Sequence, residues 1–290
     1  MTDQDFGVAV VGLGQIGAGL ASRLVDWPGG LTVYDVRAEA AAPLVEKGAR
    51  AAADLGEVAA ARVISIVVLN DGQVRDVVGE LLRKVAPGTV IAIHSTIDAE
   101  TAPELAARGD RLGVHVLDVA LTGGHFAVLE GRLVAMVGGD EAAHRLAEPV
   151  FARWAEHQLH FGPSGSGIRA KLARNMLQFI GYAATGEISR LAEAAGVDLL
   201  KLAAAIRHSD AVIGGPSVVM ISPTTAAYPA DDPLRPIFEN TRELGEKDLS
   251  HALALGDALG VDLPFGRLGL ASLATALRVP HQMEDRSEGR

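Results

Sequence analysis

Gly12, Gly14 and Gly17 constrain the fold of this chain more than any other residues. They lie in the run Gly7-Val-Ala-Val-Val-Gly-Leu-Gly-Gln-Ile-Gly17. A short β-branched stretch ends in G-x-G-x-x-G, a helical pattern follows at once, and a second apolar run, Leu31–Tyr34, closes on Asp35. In such an arrangement the first glycine permits a tight strand-to-helix turn. The second lets a pyrophosphate approach the backbone, and the third lets the helix pack close to the strand. The free N–H groups at the helix N-terminus favour phosphate. Glycine is common here, 33 of 290 residues, so the spacing alone could mark an ordinary turn in an α/β protein. The strand before it, the helix after it and an acid about 20 residues on favour a dinucleotide site. Gly12, Leu13, Gly14, Gln15, Ile16, Gly17 and Asp35 are therefore the expected cofactor residues. NAD is expected over NADP, because a carboxylate at the end of the second strand bonds ribose hydroxyls and repels a 2′-phosphate. Arg37 works against that preference, since it can pair with a 2′-phosphate, and NADP stays open as a second cofactor.

A chain of 290 residues has room for two domains with their own cores. No apolar run approaches the ~18 residues of a membrane span, and the N-terminus lacks the basic region of a signal peptide. The absence of cysteine excludes disulfides and thiolate metal sites, and the cytoplasm is the default expectation. A net charge of −10 argues against a nucleic-acid partner. A small anionic ligand is still compatible with it, because positive groups can cluster locally. His157 and His160 lie near an expected strand without a helical His pair or a carboxylate cluster, so surface or packing roles and no metal site are expected.

Up to residue 162 short β-rich runs alternate with helical stretches. The runs are Val8–Val11, Leu31–Tyr34, Val63–Leu69, Val90–Ile93, Val114–Val119, Leu133–Val137 and Leu159–Phe161. Ala38–Lys47 and Gln73–Lys84 are examples of the helical stretches between them. Alternation of this kind predicts a parallel sheet covered on both faces, an α/β doubly wound Rossmann-type domain over residues 1–162. The segment Gly162-Pro-Ser-Gly-Ser-Gly167 breaks the pattern. Beyond it the chain reads as helix: Ile168–Ala195, with Gly196 as a stop, then Asp198–Arg207, Pro236–Leu259 and Leu268–Ala276. Gly214–Ser217 and Pro223–Pro236 read as loops. Residues 163–290 are thus expected to form an all-α domain that begins with a long connecting helix.

Two further segments carry chemistry. Lys171 and Asn175 are four apart on the long helix and share a face, which Gln178 and Tyr182 continue. That face is either solvated or the floor of a cleft in which Lys171 moves a proton and Asn175 fixes an oxygen. Thr122, Gly123 and Gly124 end an apolar strand. They form either a plain turn or a site for a carboxylate, since ligands of open α/β sheets bind at the carboxyl ends of strands.

Taken together and in order, these segments resemble the β-hydroxyacid dehydrogenases, also called the 3-hydroxyisobutyrate dehydrogenase family. Gly12-Leu13-Gly14-Gln15-Ile16-Gly17 resembles the family's G-L-G-x-M-G, with Ile16 for Met. His94-Ser95-Thr96-Ile97 resembles its segment near the nicotinamide. Asp118-Val-Ala-Leu-Thr122-Gly123-Gly124, followed by Gly131-x-Leu133-x-x-Met136-x-Gly138-Gly139, resembles D-A-P-V-S-G-G…G-x-L-x-x-M-x-G-G. Gly165-x-Gly167-x-x-x-Lys171-x-x-x-Asn175 resembles the catalytic helix. Lys247-Asp248-Leu249 resembles K-D-L, and Glu284-Asp285-Arg286-Ser287 is similar to the family's ending. The resemblance implies a nicotinamide-dependent oxidoreductase acting on a small 3-hydroxy acid or related alcohol or carbonyl compound. Its helical domain would be like that of 6-phosphogluconate dehydrogenase, and it would assemble as a homodimer or homotetramer. Lys171 would be the acid/base and Asn175 would orient the substrate. Thr122, Gly123 and Gly124 would bind its acidic group, with Leu69, Thr96 and Lys247 beside the cofactor.

This chain departs from the pattern at several positions. Thr122 replaces Ser, no proline follows Asp118, and Arg174 stands where Asn is common. His125 and Phe126 replace small residues, which points to a bulkier substrate. An imine reductase on the same scaffold and a non-catalytic NAD(H) sensor are the competing readings. Lys171 counts against the first, and Lys171 and Asn175 together count against the second.

Overall fold

A computed structural model of the chain describes residues 5–281. The Glu284–Ser287 segment lies outside them. Eight strands form one sheet: β1 (Val8–Val11), β2 (Leu31–Tyr34), β3 (Arg50–Ala51), β4 (Val63–Ile66), β5 (Val90–Ile93), β6 (His115–Thr122), β7 (Leu133–Gly138) and β8 (Ala155–Gly162). The helices among them are α1 (Gln15–Ser22), α2 (Ala42–Val45), α3 (Leu55–Val58), α4 (Asp71–Leu81), α5 (Thr101–Asp110), α6 (Gly124–Glu130) and α7 (Glu141–Phe151). There follow α8 (Ser166–Ala194), α9 (Leu199–Ile213), α10 (Arg235–Leu259) and α11 (Pro264–Leu277). The strand order is β3-β2-β1-β4-β5-β6-β7-β8. The chain divides into two compact units between Met176 and Leu177, within α8.

The central strands explain the layering. β1, β4 and β5 read Val-Ala-Val-Val, Val-Ile-Ser-Ile and Val-Ile-Ala-Ile, and every residue in them is buried. Near-continuous apolar runs, broken here only by the buried Ser65, are what a sheet covered on both faces requires. Val8 and Val10 point into a core containing Leu20, Leu24, Phe151 and Trp154. Ala9 and Val11 point into the opposite core, with Ile64, Val74, Leu105 and Ile168. This is the alternation of a strand between two helical layers.

The sheet is not wholly parallel. β6 and β7 pair antiparallel, Asp118 opposite Gly138 and Thr122 opposite Val134. Only residues 123–132 link them, and a parallel return needs a crossover of about a dozen residues or more. Other boundaries also shift. β4 stops at Ile66, and Val67–Leu69 leave the sheet. The two-residue edge strand β3 has too little pattern to read in sequence. β8 begins at Ala155, four residues before its apolar signal, because an exposed edge strand need not alternate. α9 runs on to Ile213 and stops at Gly214, whose φ of +92° terminates it. The expected loop beyond becomes a 3₁₀ turn over Gly215–Val219.

The second unit is helical. Glu187, buried within α8, accepts hydrogen bonds from the N–H groups of Phe265 (3.0 Å) and Gly266 (2.8 Å), which caps the start of α11. A small core joins Tyr228, Phe238, Leu277 and Val279. No residue of α9 is buried in the single chain.

His94 follows β5 and is buried beside the rings of Phe151 (5.9 Å) and Trp154 (5.2 Å). A carbonyl can only accept, so Nδ1–H donates to Val119 O (2.9 Å) and Nε2 accepts from Ser65 Oγ (3.0 Å). Burial lowers the imidazole pKa to about 4, against the single favourable contact with Val119. A base with a depressed folded-state pKa costs nothing above its unfolded value near 6.5. It loses stability as pH falls from there towards 4. The unfolding free energy should therefore drop by about 2 kcal/mol between pH 7 and pH 5 on account of this residue. Chemical denaturation of the wild type and of His94→Gln at both pH values measures this. The variant should be less stable at pH 7 but show a flatter pH response, and equal slopes would refute the assignment.

Candidate active site

β1, β2, β4, β5 and β6 run parallel, so their carboxyl ends share one edge of the sheet. The strand order reverses direction on either side of β1, and such a switch point is where open α/β sheets bind ligands. The glycine turn sits there. Gly12 has φ +88°, and a Cβ on it would lie 2.1 Å from Val67 O. A Cβ on Gly17 would lie 1.8 Å from Gly12 O. Gly14 differs, since a Cβ there would meet nothing within 4 Å. Two glycines let protein backbones touch, and the middle one leaves open space at the N-terminus of α1. Gly14 and Gln15 are exposed, whereas Leu13 is buried and Ile16 packs on the core. A dinucleotide pyrophosphate fits this cradle.

Asp35, at the end of β2, faces the same turn. Its Oδ2 accepts the Leu13 N–H (2.7 Å), and its Oδ1 accepts the Arg37 N–H (2.9 Å) and Nε–H (3.3 Å). Burial works to raise its pKa, but the Leu13 and Arg37 hydrogen bonds and the Arg37 charge outweigh it and hold the carboxyl below its usual range. The loops after β4 and β5 are tied together by Ser95, whose Oγ accepts from Val68 N–H (2.9 Å) and donates to Val68 O (2.8 Å). Leu69 and Thr96 stand exposed beside this tie, and Leu69 N–H donates to Gln73 Oε1 (2.9 Å).

The end of β6 brings in the second constellation. Gly123 and Gly124 have φ +128° and +76°, and a Cβ on Gly124 would meet no atom within 4 Å. The Nζ of Lys171 donates to Leu121 O (2.5 Å), one residue before Thr122. Lys171 is half-buried. Burial, and then the charge of Arg174, lower its pKa from the ordinary lysine value. Asn175, one turn further, accepts from Arg174 Nη1 through Oδ1 (3.3 Å). Lys171 is thus partly withdrawn from solvent and held at the end of β6.

Lys247 lies in the second unit on α10, exposed and paired with Asp248 (3.3 Å). Gln178 donates to the Tyr182 hydroxyl within α8. His125 and Phe126 are exposed just past the Gly123–Gly124 turn. His160 packs against the ring of His144 (5.7 Å) and contacts Gly139 O (2.8 Å). Among the described residues no cluster of three or more His, Asp or Glu could hold a metal ion. Nor is any helix among them long and apolar enough to cross a membrane.

Two residues escaped sequence reasoning although both stood inside quoted motifs. They are Ser95, which braces the β4 loop, and Asp118, buried in β6. The one signal for Asp118 was an acid in the middle of the apolar run Val-Leu-Asp-Val-Ala-Leu.

Glycine cradle, acid and strand order together define a dinucleotide-binding domain. Residues 7–162 match the family model of the NAD binding domain of 6-phosphogluconate dehydrogenase. Residues 165–288 match that of the NAD-binding domain of NADP-dependent 3-hydroxyisobutyrate dehydrogenase. The chain belongs to the 3-hydroxyisobutyrate dehydrogenase family of NAD(P)-dependent oxidoreductases. It is 52% identical to an uncharacterized oxidoreductase of Mycobacterium tuberculosis, covering 93% of each chain. It is 30% identical to the NAD-dependent L-serine dehydrogenase of Pseudomonas aeruginosa, covering 96% of this chain and 94% of that one. A crystal structure of a protein described as an oxidoreductase from Mycobacterium avium 104 superposes with a TM-score of 0.90 at 50% identity, covering 94% of this chain and 99% of that one. An imine reductase from Myxococcus stipitatus shares the fold, with a TM-score of 0.75 at 17% identity, covering 94% of each chain.

Proposed function

We propose that this protein is an NAD-dependent dehydrogenase interconverting the alcohol of a small 3-hydroxy acid, or a related β-hydroxy compound, with its carbonyl. Lys171 is the acid/base. The observation that carries this reading is the Lys171 amine held at Leu121 O, beside a turn with the Thr122 hydroxyl and an open glycine, Gly124. The relative named L-serine dehydrogenase supports it, since L-serine is itself a 3-hydroxy acid. Residues 1–162 supply the dinucleotide site, and residues 163–290, from the positive-φ turn at Gly162 and Gly165 onward, the helical domain.

Gly12–Gly17, Asp35, Leu69 and Thr96 would hold the cofactor. A nicotinamide cofactor held there would supply the hydride chemistry. The chain's own residues handle the rest. Thr122 Oγ and the N–H groups of Gly123 and Gly124 bind the carboxylate, and the Asn175 amide orients the hydroxyl. Lys171 Nζ takes the hydroxyl proton during oxidation and gives it back during reduction. An ordinary lysine is almost fully protonated at neutral pH and is a poor base. Burial and Arg174 move this one towards the free amine, which favours oxidation. Phe126, 81% exposed just past the glycines, extends the substrate range towards bulkier β-substituents. Imine reduction on the same scaffold is the second reading, motivated by the shared fold. A lysine tuned towards the free base suits it less, because imine reduction needs a proton donor.

Lys171→Ala should leave NADH affinity nearly unchanged and lower turnover by about 10²-fold or more. Asn175→Ala should cost less, since it orients rather than transfers a proton. Assays at the nicotinamide absorbance on a panel of 3-hydroxy acids, semialdehydes and cyclic imines check both variants. Near-full turnover by Lys171→Ala would refute the mechanism, and turnover of imines alone would favour the second reading.

The ionised Asp35, with Arg37 drawn onto it, predicts a kcat/KM for NAD at least roughly tenfold above that for NADP, a difference of about 1.4 kcal/mol. A tenfold advantage for NADP would sink this preference. A homodimer or homotetramer is also proposed. In the single chain Leu200 and Val212 of α9 are 82% and 71% exposed, a surface that amphipathic helices normally bury. Sedimentation showing only monomer at working concentration would overturn it.

A further inference from the structure

Strand β6 carries a carboxylate in the middle of the sheet. Asp118 is 1% exposed between Leu117 and Val119. Both its oxygens are committed to backbone donors at the start of α8. Oδ1 accepts the Gly165 N–H at 2.7 Å, and Oδ2 accepts the Ile168 N–H at 2.8 Å. Two glycines make room for it. A Cβ on Gly138, its cross-strand partner, would lie 2.6 Å from Oδ1. A Cβ on Gly167 would lie 2.4 Å from Met136 O and 2.7 Å from Asp118 O. One helical turn beyond Ile168, Lys171 reaches back to Leu121 O, three residues along the same strand. The strand segment 118–121 and the helix segment 165–171 are thus tied at both ends.

An ordinary N-cap comes from the residue just before its helix and leaves the helix free to swing. Asp118 comes from 47 and 50 residues away, so it fixes the helix to the sheet. A single hydroxyl or amide oxygen would satisfy a cap. A buried carboxylate that takes two N–H groups from one turn also fixes rotation about the helix axis. Burial raises its pKa, while the N–H groups of Gly165 and Ile168 oppose that rise.

We propose that Asp118 is the positioning residue for Lys171, anchoring the start of α8 so that the amine stands beside the Thr122–Gly124 turn. The inference rests on Lys171 being the acid/base. Asp118→Asn tests it, because the amide keeps one acceptor and turns its own N–H groups towards the second backbone donor. Turnover per folded enzyme should fall by about 10- to 100-fold, the scale of a small misplacement of a catalytic group. NADH affinity by fluorescence titration should change by less than about twofold, since the glycine turn and Asp35 lie on other strands. The pKa governing the pH profile of alcohol oxidation should move up towards the ordinary lysine value of about 10.4 as the amine becomes hydrated. A merely structural role would lower Tm and the yield of folded enzyme but leave kcat per folded molecule and that pKa unchanged.

Gly138→Ala keeps the carboxylate but presses a methyl against it, and it should give the same signature. It serves where Asp118→Asn does not fold. If neither variant folds, Asp118 is a folding anchor and the positioning role is wrong. Lys171→Ala, run in parallel, separates the two ideas. Should it retain turnover, the acid/base reading falls and this inference with it. Should it lose turnover while Asp118→Asn keeps wild-type kcat and pH profile, the inference alone is overturned.

Discussion

The close approach of backbone to backbone at one edge of the sheet is the constraint from which the rest follows. Gly17 lies against the Gly12 carbonyl and Gly12 against the Val67 carbonyl, and a side-chain carbon at either position would overlap these atoms. Because of this contact α1 starts immediately at the end of β1 and directs its unpaired N–H groups over the carboxyl ends of the parallel strands. The same device recurs at Gly138 and Gly167, where it brings α8 down onto β6 and β7. Two helices of unrelated role are thus aimed at one edge by absent side chains. The polar groups that hold them there, Asp35 on the Leu13 N–H and Asp118 on the Gly165 and Ile168 N–H groups, come from neighbouring strands.

Those polar groups show how one fold sets three titratable side chains differently. Asp35 is partly buried but gathers enough donors to remain readily ionised. Lys171 is partly buried beside a second cation, and its single hydrogen bond is to a neutral carbonyl, so nothing compensates its charge and it moves towards the free amine. His94 is fully enclosed and held neutral, which makes it a structural pin rather than a proton carrier. Burial decides the outcome at His94 and is the larger cause at Lys171, whereas at Asp35 the hydrogen-bond donors and the Arg37 charge overcome it.

What was legible in the sequence was what a local rule dictates. Only glycine tolerates the positions of Gly12 and Gly17, so their spacing spoke directly, and Asp35 followed from the length of one βα unit. Lys171 and Asn175 share a helical face because four residues make about one turn. The partial burial of Lys171 was not legible, because it depends on β6, fifty residues away in the chain. The clamp by Asp118 was hidden for the same reason, although the residue itself was visible as an acid in an apolar strand. The direction of β7 escaped because a strand's own pattern is the same either way. Only the shortness of the 123–132 link distinguishes the two directions.

The helical half illustrates a different limit. The existence of α8 to α11 follows from composition and stop signals such as Gly196 and Gly214, each with positive φ. A helix that shows no buried residue within its own chain carries apolar side chains whose partner cannot be read from periodicity, and α9 is such a helix. Periodicity reports which face must be covered and says nothing about what covers it. The substrate poses the same problem on a smaller scale. On the proposed reading, a hydroxyl, an open glycine and an amine would receive an acid bearing a nearby alcohol. Phe126 and Arg174 stand exposed near that turn and that amine, and no local backbone rule fixes their side chains.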